Sequence, residues 1–258
     1  MERLYRVSRG GECFFAVEQD GVLRRALPSG ATIFDGYTPG PAVDGGLASV
    51  TVHVPVLPSK LVCVGLNYKD HAAEVKKVIP PEPLLFTKPP SAVLDPGCAI
   101  LIPPGVGQIH YESELALVVG KRAHRVKAAQ AWDYILGVTC LNDITARDLQ
   151  NKEPQYTRAK GFDTFAPFGP CVEIGGTRGP RTIEGFVNGE RRQHSSTSNM
   201  IFPIEFLIEY ITFVMTLEPG DVIATGTPAG VGAIASGDVL TVRIEGIGEL
   251  TNPVRSEV

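Results

Sequence analysis

Residues 110–120 read HYESELALVVG. Leu115, Leu117 and Val119 alternate with Ala116 and Val118, and the run closes on Gly120, which is the pattern of a β-strand. Successive side chains of a strand point to opposite faces, so Glu112 and Glu114 share one. Two adjacent carboxylates on an otherwise apolar strand repel each other, and burying them without a partner is costly. Two arrangements relieve that cost. One is a solvated strand entrance. The other is a hard divalent cation, because Mg²⁺, Mn²⁺ and Ca²⁺ prefer carboxylate oxygen.

The rest of the chain sets the context for that strand. Its 258 residues suit one large domain, or a small unit joined to a larger one. Hydrophobic residues make up 43% and charged residues 20%, an ordinary soluble composition. A net charge of −4 favours neither nucleic acid nor an anionic membrane surface as a partner. Gly 28 and Pro 21 imply many turns and short strands rather than a helical bundle. The five cysteines are dispersed and odd in number, without a C-x-x-C pair, as expected of reduced thiols in a cytoplasmic protein. No apolar run resembles a signal peptide or a membrane span.

Residues 1–55 read as a small β-rich unit, with short apolar runs split at Gly10-Gly11 and Asp20-Gly21 and a Gly/Pro-rich linker at 39–46. Its His53 reads as structural. Leu61–Gly65 is a buried strand. A short helix capped by Asp70 follows, and it places His71 and Glu74 three apart on one face. Such a pair is either an incidental surface contact or the means of holding an imidazole as a general base. Pro80, Pro81 and Pro83 end that segment.

Leu84–Lys88 is a further strand, 127–132 is helical, and 134–140 is a strand that delivers Asn142-Asp143 at its end. Thr145 and Asp148 have capping-box spacing, so Asp143 precedes a helix. Its carboxylate serves that helix N-terminus or completes a metal site. Residues 150–170 read as a long loop, of the kind that often carries function. Asn188-Gly189 marks a hairpin, and Phe206–Leu217 a core helix. The turn TGTPAGVG (225–232) lacks the lysine and spacing of a phosphate-binding loop. Strands at 239–244 and 250–254 close the chain.

Six stretches in this order resemble the fumarylacetoacetate hydrolase family: GLNYKDHAAE (65–74), HYESEL (110–115), NDITARDLQ (142–150), TRAKGFDTFAPFGP (157–170), VNGERRQ (187–193) and TGTPAGVG (225–232). The resemblance covers roughly residues 56–258. It is strongest to the bacterial acylpyruvase and 2-hydroxyhepta-2,4-diene-1,7-dioate isomerase-like branch. It implies an α+β, β-rich fold: a mixed β-roll catalytic domain over 56–258 behind the small N-terminal β unit, often as a homodimer. It also implies one Mg²⁺ or Mn²⁺ ion per chain on Glu112, Glu114 and Asp143. The His71–Glu74 pair would lie on a mobile lid and activate water, with Lys160 as the catalytic lysine. Substrate contacts would fall at Tyr68, Arg147, Gln150, Gly226 and Thr227.

The implied substrate is a 2-oxo acid chelated through its carboxylate and 2-oxo oxygen. The intact His71–Glu74 pair favours hydrolysis of a C–C bond in acylpyruvates such as fumarylpyruvate. Oxaloacetate decarboxylation, and isomerisation or decarboxylation of hydroxymuconate-type diacids, are the alternatives within the same site. A metal-stabilised binding protein without turnover would be expected to lack the dyad or the lysine, and both are present.

Overall fold

The computed structural model describes residues 2–175 and 178–257. The N-terminal unit consists of β1 (Glu2–Arg9), β2 (Glu12–Gln19), β3 (Val22–Pro28), β4 (Tyr37–Ala42) and β5 (Thr51–His53). Next come β6 (Leu61–Gly65), helix α1 (Lys69–Glu74), β7 (Leu84–Lys88), β8 (Val93–Leu94), β9 (Ile100–Ile102), β10 (Ile109–Tyr111) and β11 (Ser113–Val119). The middle of the chain forms β12 (Ile135–Asn142), β13 (Thr145–Ala146), α2 (Arg147–Lys152), α3 (Thr157–Lys160) and β14 (Ala166–Ile174). The last part forms β15 (Thr182–Val187), β16 (Glu190–Ser196), α4 (Ile204–Val214), β17 (Val222–Ala224), β18 (Gly232–Ile234), β19 (Val239–Ile244) and β20 (Gly248–Ser256).

Among the described residues, one large sheet runs β4-β3-β2-β1-β14-β12-β11-β17-β6-β7, with β5 on β1 and β8 on β14. A three-stranded sheet, β13-β10-β18, and a five-stranded sheet, β16-β15-β19-β20-β9, stand beside it. The N-terminal strands join the large sheet where Arg3 and Leu4 of β1 pair with Glu173 and Val172 of β14. The centre of that sheet is apolar on both faces. Every residue of β11 is buried, and Leu115, Leu117 and Val119 pack into one core cluster while Ala116 and Val118 pack into another. The β15–β16 turn is the expected tight hairpin, with Asn188 and Gly189 at φ 53° and 79°.

Several local expectations change in the structure. The 110–119 run is two strands rather than one, broken at Glu112, because β10 belongs to the small sheet and β11 to the large one. The stretch 128–134 is a 3-10 helix. The capping box at 145–148 does not form. Helix α2 begins at Arg147 behind Ala146, while the Thr145 hydroxyl donates to the Asp143 carbonyl and Asp148 accepts from the Gln108 N–H. Tertiary partners outbid the local caps. Asp70 likewise lies inside α1, not before it; its Oδ1 accepts from the His71 N–H, and the Ser195 hydroxyl donates to its Oδ2. Helix α1 stops at Glu74, before the prolines. The supposed loop at 150–170 contains the rest of α2, all of α3 and the start of β14.

One buried anion joins the two parallel strands that lead into the site. Asp221, fully buried, precedes β17 and accepts from the N–H and hydroxyl of Ser59, from the Lys60 N–H and ammonium, and from the Glu218 N–H. Asp221→Ala leaves these donors without their acceptor, and we expect it to cost roughly 3 kcal/mol in chemical denaturation. A loss below about 1 kcal/mol would mean that water satisfies the same donors.

Candidate metal centre

Four strand ends converge at the start of β11. Because β11 runs antiparallel to β12 and β17, its start lies towards their ends, with Ser113 opposite Asn142 and Ala116 opposite Ala224. β6 runs parallel to β17 and ends at the same edge. The break at Glu112 is held from β12, where the Glu112 N–H donates to Asn142 Oδ1 at 2.9 Å and the Asp143 N–H donates to the Glu112 carbonyl at 2.8 Å. Glu112, Glu114 and Asp143 are thereby brought together, and ligand oxygens from the three lie within 4.8 Å of one another. They are 6%, 2% and 1% exposed, which excludes a solvated strand entrance.

Buried carboxylates this close require compensation. Lys160, at the end of α3, donates to Glu112 Oε2 at 2.7 Å and to Asp143 Oδ2 at 2.5 Å. Arg147, at the start of α2, donates to Glu112 Oε1 at 2.5 Å and also bonds Gln150. Lys88, at the end of β7, donates to Asp143 Oδ1 at 2.5 Å. Burial works against ionisation of Glu112, yet Lys160 and Arg147 prevail and bring its carboxyl down to about 2. Burial also opposes the charge of Lys160, but Asp143 and Glu112 raise it above the ordinary lysine range. Among the described residues Glu114 pairs with no cationic side chain, and its Oε2 accepts from the Gly226 N–H at 2.7 Å. Burial, reinforced by Asp143 and Glu112, pushes its carboxyl well up. A cation placed among three carboxylate oxygens removes that penalty, so the donor set fits a hard divalent ion.

Above the triad, His71 Nδ1 lies 2.9 Å from Glu74 Oε2, and Glu74 Oε1 accepts from the Gly230 N–H at 2.9 Å. Helix α1 is docked in this arrangement, with Tyr68 and Ala72 buried, whereas Val78 beyond it is 90% exposed. His71, the three acids, Lys160 and Arg147 border one cavity of about 450 Å³, and Gln150 and Thr227 border it too. Its other wall is apolar, built from Val75, Val78, Pro80, Leu84, Phe86 and Tyr156.

Two of the expected substrate contacts do not border this cavity. Tyr68 is fully buried in the core, and the N–H of Gly226 is committed to Glu114. Gly226 has φ 98°, and a Cβ there would lie 2.8 Å from that of Asn67, so the turn that carries this N–H requires glycine. The Thr227 hydroxyl is also engaged, donating to the Ser113 carbonyl and accepting from Gln193. Sequence reasoning missed Lys88 and His110. Strand alternation did offer a signal for Lys88, which shares a face with Leu84 and Phe86, both of them cavity residues.

The β-rich fold converges strand ends on a buried acidic triad that could hold a metal ion, with an imidazole–carboxylate pair above it. The chain belongs to the fumarylacetoacetate hydrolase family: the model for the fumarylacetoacetate (FAA) hydrolase C-terminal domain matches residues 60–255. This family comprises isomerases, tautomerases and hydrolases that typically use a divalent metal. The chain is 43% identical over 223 residues to oxaloacetate tautomerase YisK of Bacillus subtilis, covering 81% of this chain and 74% of that protein. It superposes on the 2-hydroxyhepta-2,4-diene-1,7-dioate isomerase of Mycobacterium marinum with a TM-score of 0.89 and 40% identity, over 100% of this chain and 99% of that one. The 5-carboxymethyl-2-hydroxymuconate delta-isomerase of Mycobacterium smegmatis gives 0.90 and 40%, over 99% and 100%.

Glu114→Gln should weaken Mn²⁺ binding by more than the 10–100-fold typical of outer-shell changes, as read by titration calorimetry. Undiminished Mn²⁺ affinity would remove Glu114 from the ligand set.

Proposed function

We propose that this chain is a Mg²⁺- or Mn²⁺-dependent enzyme that moves a proton on a 2-oxo acid, by keto–enol tautomerisation or double-bond isomerisation of a 2-oxo diacid of the oxaloacetate class. The observation that carries this proposal is that His71, paired with Glu74, borders the same cavity as the triad. The names of the tautomerase and isomerase relatives support the same chemistry.

Glu112, Glu114 and Asp143 would hold the ion. When bound, it would act as a Lewis acid towards the substrate's oxygens and stabilise negative charge developing beside the carboxylate. The chain's own groups do the rest. Glu74 accepts the Nδ1 proton of His71 and so fixes the tautomer in which Nε2 is the basic nitrogen. Nε2 takes the proton from the carbon beside the 2-oxo group and returns it at the new position. The Lys160 ammonium, in the same cavity, stabilises the developing oxyanion. Arg147 and Gln150 orient a carboxylate. The apolar wall at Leu84, Phe86 and Tyr156 excludes water from the reacting carbon.

A second reading, hydrolysis of acylpyruvates such as fumarylpyruvate, is favoured by the same dyad. There His71 would activate a water against the distal carbonyl, and oxaloacetate decarboxylation would use the triad and Lys160 without that water. An assay panel of oxaloacetate, acetylpyruvate, fumarylpyruvate and a hydroxymuconate-type diacid separates these reactions, with EDTA as the control that abolishes each. As a further part of the proposal the protein is a homodimer; the exposed Phe206, Phe213 and Val214 of α4 offer an apolar face.

His71→Ala should slow tautomerisation by about 10²–10⁴-fold while leaving Mn²⁺ and oxalate binding near parental values. Stopped-flow loss of enol absorbance reads the rate. A parental rate in this variant would exclude the proton-transfer role.

A further inference from the structure

Away from the acidic triad, three side chains of the N-terminal unit and its neighbouring turn stand in one hydrogen-bonded row. Ser8 lies near the end of β1, His53 ends β5, and Asp95 follows β8. His53 Nδ1 lies 2.8 Å from Asp95 Oδ2, and its Nε2 lies 2.8 Å from Ser8 Oγ. Asp95 Oδ1 accepts from the Val54 N–H at 2.7 Å, so one carboxylate holds both the imidazole and the residue after it. Asn252 fixes the turn that carries Asp95, donating to the Asp95 and Cys98 carbonyls at 3.0 and 2.8 Å. None of the three borders the cavity at the acidic triad.

The partners assign the protons. A carboxylate only accepts, so a neutral imidazole turns its Nδ1 proton toward Asp95. Nε2 is then the basic nitrogen, and it accepts from the Ser8 hydroxyl. A clasp between the N-terminal strands and the Asp95 turn needs only the bonds from His53 and Val54 to Asp95. The hydroxyl held on the basic nitrogen is the further element that nucleophilic catalysis requires, and both distances lie in the range for it. The His53 and Asp95 side chains are 22% and 32% exposed and Ser8 is half-buried, so a molecule from solvent reaches the row. Ser8 stands opposite Cys13 of β2 on one side and Thr51 of β5 on the other. Side chains opposed in this way are about 5 Å apart at Cβ, which leaves room only for a short acyl group between them.

We propose that Ser8, His53 and Asp95 form a second catalytic site, independent of the metal chemistry above, that hydrolyses esters of short carboxylic acids. Ser8 is the nucleophile, His53 the general base and acid, and Asp95 the positioning residue that orients His53. Ser8 Oγ bonds to the carbonyl carbon while His53 Nε2 takes its proton. That proton passes to the departing alcohol oxygen as its C–O bond breaks, which leaves acyl-Ser8. Water then attacks the acyl carbon and gives a proton to Nε2. The acyl–Oγ bond breaks, the proton returns to Oγ, and the carboxylic acid leaves.

Diisopropyl fluorophosphate, which phosphorylates activated serines with loss of hydrogen fluoride, tests the nucleophile, and p-nitrophenyl esters test turnover. Both are applied in EDTA, with adducts located by peptide mass spectrometry and folding checked by circular dichroism. The fluorophosphate should label Ser8 of the parent, and His53→Ala should slow that labelling by at least about 10²-fold. Ser8→Ala should abolish turnover of p-nitrophenyl acetate. Asp95→Asn should lower its kcat by at least about 10-fold with KM unchanged, because Asp95 acts through His53 and not on the ester. The parent should favour the acetate over the octanoate ester by at least about 10-fold. An unlabelled Ser8 in the parent, undiminished labelling in folded His53→Ala, or undiminished turnover in Ser8→Ala overturns the site and leaves a clasp. A parental kcat in folded Asp95→Asn overturns the role of Asp95, and equal rates on the two esters overturn the short-acyl selection. Should the variants not fold, the parent decides: a label on Ser8 upholds the site, and its absence overturns it.

Discussion

Three carboxylates within 4.8 Å of one another, all nearly removed from water, are the constraint around which this molecule is built. Such a cluster is unstable unless positive charge reaches it. The chain brings that charge from three separate segments: the end of β7, the start of α2 and the end of α3. None of these residues is a neighbour of Glu112 or Glu114 in sequence. The fold must therefore close before the cluster is compensated, and the cluster in turn ties those segments together.

The sheet performs this convergence with simple geometry. Antiparallel neighbours place the start of one strand beside the end of the next, and the parallel β6–β17 pair adds two further ends on the same edge. Residues beyond regular pairing, such as Glu112, Asp143, Gly226 and Thr227, can then turn side chains or N–H groups inward without breaking a ladder. The break between β10 and β11 follows from this. Glu112 bridges two sheets, and Asn142 supplies the acceptor that the broken ladder would otherwise lack. The His71–Glu74 pair is attached differently, through one short helix whose outer contacts are Gly230 and Ser195. It shares the cavity while belonging to neither sheet edge.

Periodicity made the long elements readable. The alternation in β11, the apolar runs of β6, β7 and β12, the Asn-Gly hairpin and helix α4 were visible because each depends on local spacing and on one buried face. The short helices were read less well. The Thr145–Asp148 spacing suggested a cap, yet Thr145 bonds the Asp143 carbonyl and Asp148 bonds Gln108, because tertiary acceptors and donors were nearer than the helix end. Helix α3, only four residues long, has no periodicity to detect, and it carries Lys160.

What the sequence determined by itself was the chemistry available and its order along the chain. The acidic pair, the strand-end aspartate and the His-x-x-Glu spacing follow from residue types at short separations, where backbone geometry alone fixes which side chains can meet. The tertiary structure decided which charges meet across distance. Lys88 and Asp143 are 55 positions apart, and Glu114 and Gly226 are 112 apart. Such pairs depend on strand order and register, which local patterning does not encode. Alternation put Lys88 on the face of Leu84 and Phe86 but could not show its partner Asp143, nor that Tyr68 is buried and the Gly226 N–H is held by Glu114.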